Sequence, residues 1–193
     1  MNAKKVLGLA LCGSYCSYEK VFAAARTLGA EYDLVPIMSE NAAAADTRFG
    51  SAEENIRRLA ELCGRAPVCT VIDAEPLGPA RPMDALLIAP CTGNTLAKLA
   101  HGITDTAVTM AAKAHLRNGR PLILAVSTND GLSGSAENIA RLLNRKNVYF
   151  VPFGQDDFEK KPNSLQADFS LLSAAVGAAL EGRQLQPLLC VQR

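Results

Sequence analysis

Short apolar runs alternate along the chain with longer segments in which apolar residues recur every three or four positions. The first pattern is typical of strands buried on both faces, and the second of amphipathic helices. The predicted strands are residues 6–11, 32–38, 68–72, 85–89, 121–127 and 148–151. The predicted helices are residues 18–28, 51–63, a stretch around 96–100, 106–118, 135–144 and 164–180. Glycines are expected to end the helices at Gly29, Gly64 and Gly119.

This alternation predicts an α/β fold, because strands joined through helices form a parallel sheet with helices on both faces. There is no internal repeat and no break in composition, so we expect one doubly wound, Rossmann-like domain over residues 1–182, followed by a C-terminal tail, 183–193. The proline-rich segment 73–84 and the polar segment 152–163 are expected to be long loops.

Four polar loops, 13–17, 39–41, 91–95 and 127–131, follow predicted strands and should meet at one edge of the sheet. Ligands bind at that edge of open α/β sheets, where helix N-termini attract anions. Neither a dinucleotide fingerprint nor a P-loop is present, so a small phosphorylated ligand is expected. The candidate binding residues are Gly13, Ser14, Tyr15, Ser17, Ser39, Thr92, Asn94, Thr95, Ser127 and Asn129.

A simpler interpretation of two of these loops is structural. Ser17 has the position of an ordinary N-cap, and Thr92 or Asn94 would cap the next helix while Gly93 makes the turn. The local sequence leaves both interpretations open.

Composition excludes several classes of function. The chain has 20 basic and 19 acidic residues, a net charge of +1, without a basic stripe, which disfavours nucleic acid and membrane partners. No apolar run is long enough to span a bilayer, and the apolar N-terminal run is predicted to be a strand rather than a secretion signal. The six cysteines form no C-x-x-C pair, so no metal site is expected and reduced thiols of a cytoplasmic protein are predicted.

One motif carries a family resemblance. The stretch Ala89-Pro90-Cys91-Thr92-Gly93-Asn94-Thr95-Leu96-Ala97-Lys98, followed by Gly102-Ile103-Thr104-Asp105, resembles the P-A-x-x-N-T-x-x-K…G-x-x-D block of the flavoprotein family. That family includes homo-oligomeric, flavin-containing cysteine decarboxylases. The resemblance implies a three-layer flavoprotein fold, FMN held by loops 13–17 and 127–129, and self-association, for which the alanine-rich helix 106–116 is a candidate surface.

A narrower resemblance extends over nearly the whole chain. The stretches CGSYCSYEK, DAEPLGP, RPLILAVSTNDGL and VPFGQDDFEKKPNSLQADF resemble the B subunits of dipicolinate synthases. This implies a role in oxidising dihydrodipicolinate to pyridine-2,6-dicarboxylate during sporulation, with an A subunit that binds NAD(P). Arg48 and Lys98 are candidates to bind the dicarboxylate. The alternatives are a non-redox binding or scaffold subunit with an empty flavin site, and a flavin-dependent decarboxylase relative.

The chain departs from the decarboxylases in its histidines. Those enzymes use a histidine shortly before the central strand, where this chain has Glu75-Pro76-Leu77-Gly78-Pro79. Both histidines, His101 and His115, lie on predicted helices and are expected to be structural. No catalytic residue is therefore assigned. Asp130, Asp105 and Glu40 are candidates for a base, and Cys12, Cys16 and Cys91 are expected near the site.

Overall fold

The computed structural model describes residues 3–78 and 83–190. The strands are β1 (Val6–Leu11), β2 (Asp33–Met38), β3 (Ala85–Cys91), β4 (Leu122–Thr128), β5 (Val148–Phe150), β6 (Phe153–Gly154) and β7 (Leu165–Ala167). The helices are α1 (Tyr18–Glu31), α2 (Glu40–Ala44), α3 (Ala52–Cys63), α4 (Val71–Ala74), α5 (Gly93–His101), α6 (Ala107–Leu116), α7 (Ala136–Leu143) and α8 (Leu172–Leu180).

The centre of the fold is a parallel sheet in the order β2-β1-β3-β4-β5. Every residue of β3 is buried, as its uniformly apolar sequence predicted. Helices α1, α3 and α8 pack together, and α5, α6 and α7 form a second group. The predicted α/β, doubly wound fold is confirmed.

The predicted strand at residues 68–72 is wrong. Val68 makes a single bridge to Ile37, and the chain then turns into α4. Thr70 explains the change, because its hydroxyl accepts a hydrogen bond from the backbone N–H of Asp73 at 3.1 Å and so starts a helix. An apolar run of five residues cannot by itself distinguish a strand from such a turn.

The segment from 152 to 180 also differs from expectation. Residues predicted as loop and helix form β6 and β7, which add an antiparallel part to the sheet through β4. The last helix begins only at Leu172. Helix α1 passes through Gly29 and ends at Glu31, so Gly29 does not end it.

The tail packs on the sheet as far as residue 190. The Gln184 side chain bonds both backbone groups of Phe150, at 2.8 and 2.7 Å, and the N–H of Phe153 donates to the carbonyl of Leu188. The boundary between domain and tail at residue 182 stays a prediction. Of the predicted loop 73–84, residues 79–82 lie outside the described residues, and 75–77 form a short 3₁₀ turn.

None of the helices described within residues 3–78 and 83–190 has the length and apolar character needed to cross a bilayer.

Candidate functional site

The carboxyl ends of β1, β2, β3 and β4 lie at one edge of the sheet, and their loops touch. The N–H of Ser39 donates to the carbonyl of Leu11 at 3.0 Å, which joins the ends of β1 and β2. The hydroxyl of Thr95 donates to the sulfur of Cys12 at 3.3 Å, which joins the ends of β1 and β3. The structure therefore brings the four predicted loops together.

Three serine hydroxyls form the centre of this edge, and we call them the hydroxyl cluster: Ser14, Ser17 and Ser127. The Ser127 oxygen lies 2.8 Å from that of Ser14 and 2.9 Å from that of Ser17, and the latter two are 3.4 Å apart. Ser14 and Ser17 are placed by the 3₁₀ turn that follows β1, and Ser127 by the end of β4. Ser17 is 1% and Ser127 5% exposed.

The hydroxyl cluster lies at the N-terminus of α1, a helix of 14 residues. The expected N-cap role of Ser17 is wrong, because its side chain accepts no hydrogen bond from the N–H groups of α1 and faces Ser127 instead. A hydroxyl has one proton to donate and can rotate it toward an incoming anion. Three such groups at a helix N-terminus, where the dipole favours negative charge, fit a phosphate group.

A cleft of about 420 Å³ opens beside the hydroxyl cluster, and we call it the flavin cleft after the family ligand expected there. It is lined by six of the sequence-predicted residues, Gly13, Ser39, Thr92, Asn94, Thr95 and Lys98, together with Cys12, Glu40, Asn41, Asp105 and Thr106. Its size is within the usual range for small-molecule sites. Hydroxyl and amide groups rather than charges dominate the lining.

Gly93 allows α5 to approach the loop after β4. A Cβ at Gly93 would lie 2.6 Å from the hydroxyl oxygen of Ser135 and 2.7 Å from that of Thr128. Both hydroxyls donate to the carboxylate of Asp130, which holds this loop in place. The expected turn at Gly93 is therefore wrong, since Gly93 is the first residue of α5, whereas the cap at Thr92 is confirmed by its hydroxyl accepting the N–H of Thr95 at 3.3 Å.

Three other predicted residues do not line the flavin cleft. Tyr15 connects the turn after β1 to α2, because its hydroxyl donates to the carbonyl of Asn41 at 2.8 Å. Asn129 is exposed in the loop after β4 and does not line the cleft. Arg48 also lies outside this lining, with its guanidinium 4.9 Å from the ring centre of the exposed Phe49.

Each charged side chain in the lining of the flavin cleft has a hydrogen-bonding partner. Lys98 lies 2.9 Å from the carboxylate of Asp105, and its hydrogen bond lowers the pKa of Asp105. The carboxylate of Glu40 accepts the N–H of Ala107 at 3.1 Å, at the start of α6. The cleft therefore has one cation for two carboxylates, and each candidate base, Asp130 included, is hydrogen-bonded.

The thiols at this edge are poor nucleophiles. Burial raises the pKa of Cys12 to about 11 and raises the pKa of Cys91 well above its ordinary value. Both are therefore neutral thiols at neutral pH, and only the thiolate is reactive. Cys16 is exposed beside the hydroxyl cluster, with its sulfur 3.8 Å from the Ser14 hydroxyl.

Neither histidine lines the flavin cleft. His115 is buried on α6 with Nε2 2.9 Å from the carbonyl of Pro121, and burial lowers its pKa to about 4. His101 is exposed at the end of α5, where Nδ1 lies 2.9 Å from the carbonyl of Ala97. Both have local backbone partners, in keeping with a structural role. In the described part of the chain no cluster of side chains is suited to a metal ion.

Sequence reasoning missed Gln166 and Thr106. Gln166 lies on β7, and its amide nitrogen is 3.5 Å from the Ser17 hydroxyl. The sequence did not reveal this position, because β7 is only three residues long and its residues were predicted to belong to a helix. Thr106 was recognised as the start of α6, and only the packing of that helix start against Glu40 places it at the cleft.

Comparison with known proteins agrees with this geometry. The Flavoprotein family model matches residues 1–161. The chain is 45% identical over 188 residues to the B subunit of dipicolinate synthase of Bacillus subtilis strain 168, covering 96% of this chain and 93% of that protein. The crystal structure of the corresponding dipicolinate synthase protein from Bacillus halodurans matches with a TM-score of 0.90 and 41% identity over all of both chains.

A more distant structure shares the fold alone. The FMN-dependent cysteine decarboxylase SpaF has a TM-score of 0.67 and 23% identity, over 93% of this chain and 98% of its own. The family-model match and the two dipicolinate synthase matches, together with the parallel sheet and its hydroxyl-rich edge, show that the chain belongs to the flavoprotein family, with close similarity to the B subunits of dipicolinate synthases.

Proposed function

We propose that this protein is the flavin-fold component of a dipicolinate synthase, an oxidoreductase that converts dihydrodipicolinate to pyridine-2,6-dicarboxylate in sporulating bacteria. The observation that carries the proposal is similarity to the B subunits of dipicolinate synthases over the whole chain. The two-electron oxidation removes a hydride and a proton from the dihydropyridine ring. In the proposal the hydride goes to NAD(P) on an A subunit and the proton to solvent or a carboxylate.

The hydroxyl cluster supports FMN as the ligand of this chain. Ser17 and Ser127 are buried polar groups at a helix N-terminus, and neither is used as a cap. They would hold the phosphate together with Ser14, while Thr92, Asn94 and Thr95 would offer polar groups to the rest of the molecule. Bound flavin supplies two-electron redox chemistry.

The shortage of free cations in the flavin cleft supports a composite site. A dicarboxylate needs cationic or amide donors for both of its carboxylates. Lys98 is the cation in the lining, and Asp105 already pairs with it. We therefore propose that the A subunit contributes further cations, so that neither protein alone binds the dicarboxylate productively.

The family also suggests self-association, and we propose a cytoplasmic homo-oligomer. The alanine-rich face of α6 is not available for that contact. Ala107, Ala111 and Ala112 on that helix are fully buried within their own chain. The surface of self-association must therefore lie elsewhere.

Reconstitution tests the proposed function. The purified protein and its A partner are mixed with NAD(P) and freshly prepared dihydrodipicolinate, and the ultraviolet absorbance of the pyridine product is followed. We expect the pair to form product far faster than either protein alone. Absence of product from a correctly assembled pair would contradict the proposal.

The second candidate is a non-redox scaffold protein, whose flavin site is empty. It is distinguished by the absorption spectrum and by thermal unfolding with and without FMN. A flavin band and a higher melting temperature favour the flavin-binding function, and their absence favours the scaffold. The decarboxylase alternative is disfavoured because the cleft lining contains no histidine to act as a general base.

A further inference from the structure

A second cleft runs along α6 from Thr109 to the end of the helix, and we call it the basic cleft. Its volume is about 510 Å³. It is formed by the end of α5, one face of α6 and the turn between α7 and β5. Its lining residues are Leu99, Gly102, Ile103, Thr104, Thr109, Lys113, Leu116, Arg117, Arg145, Lys146 and Asn147.

Four of these residues are cations, and the lining has no carboxylate. Lys113, Arg117, Arg145 and Lys146 are all exposed, and none of them forms an ion pair with a carboxylate among residues 3–78 and 83–190. Most other arginines that the structure describes form an ion pair with a carboxylate. The basic cleft is therefore a local concentration of positive charge in a chain whose net charge is only +1.

Helix dipoles explain part of this arrangement. The C-termini of α5, α6 and α7 all lie near the basic cleft, and a cation is favourable at each. Arg145 has this role, because it donates to the carbonyl of Leu99 near the end of α5 at 3.0 Å. The exposed charges of Lys113, Arg117 and Lys146 line the same cleft, so a bound anion would reduce the repulsion between them.

The lining of the basic cleft also has an apolar part. Leu99 is buried, Leu116 is half-buried, and Ile103 is 47% exposed. A lining that combines apolar side chains with several cations is suited to a ligand that has an apolar body and more than one negative charge.

We propose that the basic cleft binds a small organic dianion with an apolar body. Aromatic dicarboxylates and aromatic phosphate esters share this chemistry. The site is distinct from the flavin cleft, because the two linings have no residue in common, although Thr104 of one adjoins Asp105 of the other in the chain. Binding there depends on the cleft alone and not on the reaction proposed above.

Titration calorimetry with three probes tests this proposal on the full chain at low salt. The probes are benzene-1,3-dicarboxylate, phenyl phosphate and benzoate, which share an aromatic ring and differ in charge. We expect saturable binding of at least one dianion and binding of benzoate at least about tenfold weaker. Binding of the dicarboxylate alone, of the phosphate ester alone, or of both supports the proposal and identifies the anionic group that is recognised.

A pair of charge variants tests whether the basic cleft is the site. Lys113→Gln with Arg117→Gln removes two exposed cations of the lining, and Lys5→Gln with Lys160→Gln removes two exposed cations elsewhere. We expect the first variant to lose at least about tenfold in affinity for the dianion and the second to bind as the wild type does. No saturable binding, equal binding of benzoate, or equal losses in the two variants would overturn the proposal.

Discussion

The two clefts beside α6 offer anions different environments. The flavin cleft lies beside a buried hydroxyl cluster and a helix N-terminus, and its one lysine is paired with Asp105. The basic cleft has four exposed cations without carboxylate partners among the described residues and lies near helix C-termini. Neutral, fixed donors select an anion by geometry, whereas exposed charges attract anions over a longer range and respond to salt. We therefore expect the flavin cleft to be the more specific anion site and the basic cleft the less selective one.

Of the changes considered, Gly93→Val is expected to have the largest effect on FMN binding at the flavin cleft. A side chain at Gly93 must displace the hydroxyls of Ser135 and Thr128, which lie 2.6 and 2.7 Å from an added Cβ. We expect the loop after β4 to move and FMN binding to be lost, with a stability loss of about 1–3 kcal/mol from overpacking. Flavin fluorescence titration and urea unfolding measure the two effects.

Gly177→Ala is a control at a glycine with room for a side chain. Gly177 lies in α8, and an added Cβ there meets no atom within 4 Å apart from its chain neighbours and the backbone of its own helix. We expect unchanged FMN binding and a gain of about 0.5–1 kcal/mol in unfolding free energy, since alanine is favoured over glycine in helices. Equal loss of FMN binding in both variants would show that the junction at Gly93 has no special role.

The next largest effect is expected from Ser127→Ala. This substitution removes the hydroxyl that contacts both Ser14 and Ser17. We expect the Kd for FMN to rise by about 10- to 100-fold, the cost of one hydrogen bond to a charged phosphate. Binding of benzene-1,3-dicarboxylate at the basic cleft should not change. Ser133→Ala, in the loop that follows β4 and outside the hydroxyl cluster, serves as the control.

Helix α6, which together with its N-cap Thr106 contributes residues to both clefts, makes the stability of the folded chain depend on pH. Burial lowers the pKa of His115 to about 4 in the folded chain, so the unfolded chain binds the extra proton below pH 6.5. Keeping His115 neutral in the folded chain therefore costs no stability above pH 6.5. As the pH falls from 6.5 toward 4, proton binding by the unfolded chain lowers the free energy of unfolding by about 1.4 kcal/mol per pH unit. Urea unfolding at pH 7 and pH 5 should show this loss in the wild type and a smaller loss in His115→Gln. An identical pH profile in the variant would assign the loss to other groups.

The smallest effect is a difference in salt sensitivity. Raising NaCl from about 50 to 500 mM should weaken dianion binding at the exposed basic cleft by roughly tenfold, because its charges are screened. Binding of FMN at the buried hydroxyl cluster should weaken by less than about threefold, since its donors are neutral hydroxyls and backbone dipoles. Equal salt dependence in the two titrations would contradict the contrast between the clefts.

Features that depend on long, regular patterns could be predicted from the sequence. The apolar runs located β1, β3 and β4, and the polar residues after them located Ser14, Thr92 and Ser127 at one edge. Short elements were missed because three to five residues have no usable period, as in β7 and α4. Gln166 was consequently placed on a helix rather than beside Ser17.

The partners of individual side chains could not be predicted from sequence. Ser17 has the position and residue type of an N-cap, yet its hydroxyl faces Ser127, which is 110 residues away. Lys98 was expected to be available to a dicarboxylate, yet it pairs with Asp105 after the end of α5. The basic cleft escaped notice because its cations are separated along the chain and meet only where the ends of three helices gather.

Titration with FMN and with riboflavin, which lacks the phosphate, tests the central claim most directly. If the hydroxyl cluster and the N-terminus of α1 bind the phosphate, FMN should bind at least about a hundredfold more tightly than riboflavin, and Ser127→Ala should reduce that ratio by about tenfold or more. Equal affinities for the two flavins, or an unchanged ratio in the variant, would contradict the assignment of this edge of the sheet as a phosphate site.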